Sequence, residues 1–270
     1  MNIIAQGLAI VRQTMKENRG LALGFWWNVA LLAASAAASV FDDRKILGLN
    51  PWIKPMKFEI SILVFVVTIA VLLWALGRGG EWRRSKAWIG WGIGVSMIVE
   101  ISIIALQSAR GVRSHMNVAT VHDALLFAVM GLFIALNTAL AAWLFVLWCV
   151  AKTGWERVVV WGVRLGLLML LLGSLEGARM VAYGAHTVGA ADGGIGLPFV
   201  NWSRTYGDLR VAHFFALHAL QIFPLAGLAL ARTRWLERLK IATLFAFAAL
   251  YGAGVWWLFA EAMRGTPLVR

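Results

Sequence analysis

The chain has 270 residues, of which 61% are hydrophobic and only 14% are charged. A soluble domain is nearer half apolar and a quarter charged, so this composition excludes an ordinary soluble fold. The formal net charge is +12, but the basic residues lie mostly in short loops between long apolar runs, which indicates orientation in a membrane rather than nucleic-acid binding. The single cysteine, Cys149, excludes an intrachain disulfide and a cysteine-based metal site.

The first 20 residues predict an amphipathic helix that lies on the membrane surface. Apolar residues recur at helical spacing from Ile3 to Met15, while Arg12, Lys16 and Arg19 lie on another face. A polar segment that simply leads into the first span is the alternative interpretation.

Seven apolar runs are long enough to cross a bilayer, since a spanning helix needs about 20 apolar residues. The sequence therefore predicts an all-α fold, a polytopic integral membrane protein whose seven transmembrane helices form one domain over residues 21–270. The fourth run is long enough to tilt or to project beyond the bilayer. The predicted spans are about 21–41, 58–77, 87–107, 119–149, 158–181, 208–230 and 241–262.

The segment NPWIKPMKFEIS leads into the second span. Its two prolines predict that helix begins no earlier than Lys57, with Trp52 and the lysines resting at the membrane interface. Lys54 and Lys57 could bind an anion such as a lipid phosphate or a haem propionate. Ordinary interfacial lysines are the favoured interpretation.

Orientation follows from the basic loops. GRGGEWRRSK and ARTRWLERLK each hold four basic residues and lie on the same side as the N-terminus. Because basic residues are retained on the cytoplasmic side, the sequence predicts a multi-pass protein of a bacterial-type inner membrane. It also predicts a cytoplasmic N-terminus and a C-terminus outside.

The histidines and most of the acidic residues fall on the outer side or in the outer half of a span. They comprise all five histidines and nine of the 13 acidic residues. The histidines are His115, His122, His186, His213 and His218, and the acidic residues are Asp42, Asp43, Glu59, Glu100, Asp123, Glu176, Asp192, Asp208 and Glu261.

Glu100 is the deepest of these carboxylates, about 10 Å from the outer end of the third span by the helical rise. Its own helix offers no charged neighbour, so a partner on another span is expected. An ionisable group within a membrane predicts a functional site, and a structural hydrogen bond between helices is the competing interpretation.

Two other acidic residues have local explanations. Glu176 and Arg179 are three residues apart on one helix face, which favours an internal ion pair. Asp208 opens the sixth span, where an acidic residue suits the helix N-terminus as a cap.

His213 and His218 of the sixth span are five residues apart, so one metal ion is not expected to bind both in a regular helix. Either they face different partners or the helix is distorted, for instance at Pro224. His218 and Gln221 share a face.

His122, at the outer boundary of the fourth span, could face His213 across the bundle. This pairing predicts one of two cofactors, a divalent metal (Zn, Cu or Fe) or a b-type haem. The metal ligands would come from His122, His213 and His218, with Glu100 or Asp123 as a further ligand or as the catalytic acid or base. The haem would take His122 and His213 as axial ligands, with Arg110, Arg113 or Arg204 meeting the propionates.

The remaining two histidines, His115 and His186, lie in loops and are predicted to be solvated. The loop over residues 184–207 is the longest and is rich in glycine. It is typical of a lid over the outer mouth, or else of a disordered connector.

Three classes of function stay open. The first is a metal-dependent membrane enzyme that acts on a lipid or another small apolar substrate, with the metal polarising the substrate or activating water. The second is a haem protein of electron transfer. The third is a carrier, receptor or assembly factor whose polar groups bind a ligand or hold helices together.

Overall fold

The protein is an all-α, multi-pass membrane protein. A computed structural model describes residues 3–77 and 82–269, and seven helices in this part of the chain are long and apolar enough to cross a membrane. The predicted fold class is confirmed. Residues 78–81, with Arg78 of the first basic loop, lie outside the described residues.

Eight helices and two very short strands follow one another along the described chain. They are α1 (Ile3–Glu17), α2 (Arg19–Phe41), α3 (Ile53–Ala75), α4 (Arg83–Ala109), α5 (Val121–Val150), α6 (Arg157–Tyr183), β1 (Thr187–Val188), β2 (Gly207–Asp208), α7 (Leu209–Ala231) and α8 (Glu237–Met263).

The prediction that helix begins no earlier than Lys57 is wrong, because α3 begins at Ile53. Pro55 is the third residue of the helix. Proline is tolerated in a first turn, where the backbone N–H groups have no partner within the helix and the ring fixes a helical φ. The earlier start places Lys54 on the first turn of a membrane-spanning helix.

Helix α1 is present as predicted and ends at Glu17. It packs against α2 and α3, and its Thr14 is fully buried. The apolar side chains before Ala9 lie outside the described part of the structure, so the single apolar face stays a prediction.

The chain divides into two compact units, Met1–Leu144 and Phe145–Arg270. In the first unit, α2 packs closely on α4 and α3. Glycines make this approach possible: a Cβ added at Gly94 would overlap the backbone of Gly20, and one added at Gly20 would overlap the backbone of Trp91.

One end of the first unit is organised by the connection between α2 and α3. Asp42 accepts hydrogen bonds from Arg44 (Nε, 2.9 Å; Nη2, 2.7 Å) and from Trp52 Nε1 (2.9 Å). The Arg44 guanidinium holds the pKa of the Asp42 carboxyl well below its usual range. Arg44 Nη2 also donates to the carbonyl of Ala109 (3.1 Å), so this connection is tied to the C-terminal end of α4.

In the second unit, α6 and α7 form the closest helix pair, and α8 packs against both. Gly162, Gly166 and Gly173 of α6 lie directly against the backbone or Cβ atoms of α7. The outward side of α8 carries large apolar side chains, with Leu250 74% and Trp256 67% exposed. Such a surface suits contact with lipid.

Candidate functional site

The loop between α4 and α5 folds back on its own unit. Ser114 and Asn117 are buried in it, and Met116 has a positive φ of 53° although it has a side chain. A residue with a Cβ in this region is strained by about 1–2 kcal/mol, which persists only where surrounding contacts impose it. The loop therefore has a defined shape.

Asp123 holds the two ends of this loop together. Its carboxylate accepts hydrogen bonds from Gln107 Nε2 (2.9 Å) and Arg110 Nη1 (2.5 Å) at the end of α4, and from Thr120 Oγ1 (2.8 Å) at the start of α5. Arg110 also donates to Gln107 Oε1. One buried carboxylate thus clamps both ends of the loop.

The folded loop brings His115 to Glu100. His115 Nε2 lies 3.5 Å from Glu100 Oε1, although Glu100 is nine residues before the last residue of α4, roughly 13 Å along the helix axis. A partner for Glu100 was expected from another span. It comes instead from the loop that follows the same helix, because that loop turns back.

Lys54 completes a chain of three ionisable groups. Its Nζ is 3.3 Å from His115 Nδ1, and the Oγ of Ser114 is 3.0 Å from the same nitrogen. An ammonium group can only donate, so Nδ1 is the acceptor and a neutral His115 carries its hydrogen on Nε2, facing Glu100. Lys54 therefore donates to His115, and the Nε2 hydrogen of His115 lies on the side of Glu100, 3.5 Å from its Oε1.

Glu100 is almost fully buried, at 3% exposure. Its second oxygen, Oε2, is buried and has no hydrogen-bond partner among the described residues. A buried carboxylate with one unsatisfied oxygen is costly unless it takes up a proton or another ligand.

Aromatic rings flank the imidazole. The ring centroids of Phe58 and Phe127 lie 5.7 Å and 6.3 Å from that of His115, and the His115 side chain is only 28% exposed. The prediction that His115 is solvated is wrong. We call Lys54, His115 and Glu100 the relay.

A second buried carboxylate lies in the same unit. Glu59 is fully buried and accepts a hydrogen bond from Ser35 Oγ (2.8 Å). The sequence placed Glu59 in the polar set but gave no partner. A serine and a glutamate 24 residues apart carry no signal of contact until the pairing of α2 with α3 is known.

In the second unit, a hydrogen bond to α6 holds the ring of His213 in place. His213 Nδ1 lies 2.7 Å from the carbonyl oxygen of Gly173 on α6, so Nδ1–H donates and Nε2 is the acceptor nitrogen of the neutral ring. This hydrogen bond to a backbone carbonyl is typical of histidines that bind metals through the other nitrogen.

Other predictions for the second unit have mixed outcomes. His218 and Gln221 share a face as predicted, with Nδ1 and Oε1 3.3 Å apart. The predicted ion pair of Glu176 with Arg179 is wrong, because Glu176 Oε2 is buried without a hydrogen-bond partner in the described structure and Arg179 is exposed.

Asp208 caps α7 as predicted. Its carboxylate accepts from the Arg210 backbone (3.1 Å) and side chain (Nη2, 2.6 Å) and from the backbone N–H of Ser203 (2.8 Å). The cap therefore also holds the 184–207 loop, whose strands β1 and β2 pair with Thr187 opposite Asp208.

His186 is not solvated, so that prediction is wrong too. Its Nδ1 lies 3.0 Å from Asp192 Oδ1, which also accepts the backbone N–H of Thr187 (2.9 Å). Burial lowers the pKa of His186. Burial by itself raises the pKa of Asp192, but the hydrogen bonds from His186 and Thr187 outweigh it and hold that pKa well below its usual range.

The predicted cofactor residues are distributed over both units. His122, Arg110 and Asp123 lie in the first unit and His213 and His218 in the second. His122 is exposed on the first turn of α5, and Arg113 and Arg204 are exposed in loops. Among the described residues, no three His, Cys, Asp or Glu side chains are grouped so that they could hold a metal ion. The cofactor roles stay predictions.

Comparison with protein-family models, with curated proteins and with solved structures finds no match.

Proposed function

We propose that the protein is a membrane carrier or receptor in which binding of a small apolar or lipid-like ligand is linked to protonation of Glu100. The observation that carries the proposal is the relay: Glu100 has one oxygen 3.5 Å from His115 and the other buried without a partner among the described residues.

The relay has the order that proton transfer requires. Lys54 and His115 belong to the partly exposed end of the unit, and Glu100 lies within the span. Histidine changes charge near neutral pH and passes protons between its two nitrogens. Phe58 and Phe127 beside the imidazole favour an apolar ligand at this place.

The composition of the relay favours a proton over a metal ion. Lys54 Nζ lies 3.3 Å from His115 Nδ1, and a second cation bound at His115 would be repelled by that ammonium group. A proton on Glu100 needs no second ligand, and it removes the negative charge that makes the buried carboxylate costly.

The test is an infrared titration of the purified protein in lipid nanodiscs. The C=O stretch of a protonated carboxyl group should appear as pH falls and should be lost in Glu100→Gln, which keeps the shape of the side chain. In His115→Phe the pH dependence of this band should change, because the imidazole no longer faces the carboxyl group.

Glu176→Gln is the matched control, since Glu176 is also a span carboxyl with an unpartnered oxygen in the described structure. It should leave the Glu100 band in place. Spectra of folded Glu100→Gln that equal those of the wild type at every pH would remove Glu100 from the proposal.

A cofactor bound through His213 is our second candidate. The hydrogen bond from Nδ1 to Gly173 favours it, because it orients Nε2 as a ligand. His213 would supply one ligand to the bound group. A haem would supply redox chemistry, and a metal ion would supply Lewis acidity.

Absorption spectra and elemental analysis of the purified protein test this candidate. A Soret band supports haem, and stoichiometric zinc, copper or iron without one supports a metal site. His213→Ala should then lose the cofactor while His186→Ala retains it. If folded His213→Ala keeps its full cofactor content, a residue other than His213 must be the ligand.

A further inference from the structure

Five exposed basic residues lie on α1 or at the first residues of α2 and α4. We call them the basic collar; they are Arg12, Lys16, Arg19, Arg83 and Arg84. Among the described residues of α1 and of the first turns of α2 and α4, Glu17 is the only acidic one.

The packing of the helices brings the collar together. A Cβ at Gly20 would overlap the backbone of Trp91, so α2 starts in direct contact with α4. Lys86 Nζ donates to the carbonyl of Gly77 (2.8 Å) and interacts electrostatically with Glu17. Glu17 at the end of α1 therefore lies within electrostatic range of Lys86 in the first turn of α4, the helix that begins with Arg83 and Arg84.

The collar lies at the depth of lipid headgroups. Trp88 is 70% exposed and follows Arg84 by about one helical turn. Exposed tryptophans mark the boundary between hydrocarbon and headgroups, so Arg83 and Arg84, just beyond Trp88, meet the phosphates.

We infer that the basic collar binds anionic phospholipid headgroups. Arginine matches a phosphate with two parallel hydrogen bonds. Basic residues clustered beside a membrane span attract anionic lipid by about 1 kcal/mol each. The positive charges of three helices converge on one lipid surface, with Arg12 and Lys16 on one face of α1 and the arginines at the helix starts.

Lipid binding to the full-length protein tests the inference. The protein in neutral detergent is titrated with phosphatidylglycerol or with phosphatidylcholine, and bound lipids are counted by native mass spectrometry. The wild type should retain phosphatidylglycerol in preference, and added salt should weaken this retention. Arg83→Gln with Arg84→Gln should bind it about tenfold to thirtyfold more weakly, the loss expected for two basic residues.

Two further variants make the result specific. Arg83→Lys with Arg84→Lys keeps the charge and should retain most of the binding. Lys45→Gln with Arg179→Gln removes two exposed basic residues, one in the loop after α2 and one near the C-terminal end of α6, and should bind like the wild type. Unchanged binding in the first glutamine variant, or an equal loss in the Lys45 and Arg179 variant, would overturn the inference. So would displacement of the lipid by equimolar inorganic phosphate.

Discussion

At the scale of single residues, the close approach of α2 to α4 depends on positions that cannot carry a side chain. A Cβ at Gly94 would overlap the carbonyl group of Gly20, and backbone atoms in two packed helices cannot move aside individually. By contrast, a Cβ at Gly131 of α5 would meet nothing within 4 Å. The same substitution therefore has opposite consequences at two helical glycines.

Gly94→Ala should lower the free energy of unfolding by about 1–3 kcal/mol, the cost of overpacking. Gly131→Ala should raise it by about 0.5–1 kcal/mol, because glycine is unfavourable within a helix. Thermal unfolding in detergent measures both. A Gly94→Ala variant as stable as the wild type would show that the two helices lie farther apart.

Met116 allows the backbone strain beside His115 to be measured. Its φ of 53° suits glycine better than any residue with a Cβ. Met116→Gly should therefore be more stable than Met116→Ala by about 1 kcal/mol, although both lose the methionine side chain. Equal unfolding temperatures for the two variants would contradict a left-handed backbone here.

At the scale of elements, carboxylates hold two loops in fixed shapes. Asp123 ties the end of α4 to the start of α5, and Asp192 and Asp208 hold the 184–207 loop through backbone N–H groups. The clamp gives Asp123 a structural role, and its predicted catalytic role stays a prediction.

The 184–207 loop should make stability depend on pH. Since burial lowers the pKa of His186 below its ordinary value, near 6.5, the unfolded chain binds the proton more readily. The stability from a neutral His186 is fully present above about pH 6.5 and is lost as pH falls below it. The lowered pKa of Asp192 acts in the same direction below about pH 4.

Unfolding temperatures measured from neutral to mildly acidic pH test this expectation. The wild type should lose stability below about pH 6.5, and His186→Gln should lose less over the same range. His122→Gln removes an exposed histidine and should follow the wild type. The same slope in wild type and His186→Gln would assign the effect to other groups.

At the scale of the whole molecule, the seven spans and their basic loops decide how the chain crosses the membrane. The charge bias predicts a cytoplasmic N-terminus, and with seven spans residues 184–207 would then lie outside. The relay and the 184–207 loop would both belong to the outer side.

Cysteine labelling in intact cells tests the orientation. In a Cys149→Ser background, Ala191→Cys should react with an impermeant maleimide, and Thr233→Cys should react only after the cells are permeabilised. The reverse pattern would invert the topology. It would leave the internal contacts of each unit unchanged.

The sequence by itself determined the fold class and the approximate spans. In lipid, a run of about 20 apolar residues can pair its own backbone N–H and C=O groups only by forming a helix. Local chemistry also identified the Asp208 cap and the shared face of His218 and Gln221, because these contacts lie within four residues along one helix.

Only the tertiary structure decided the composition of the candidate site. His115 meets Glu100 because Asp123 folds their loop back, and Lys54 reaches His115 across 61 residues of chain. Helical periodicity gives the face on which a residue lies but not the element that packs there. Loop conformation depends on hydrogen bonds between side chains distant in sequence, so the partners of Glu100, Glu59 and His186 appeared only when the chain was folded.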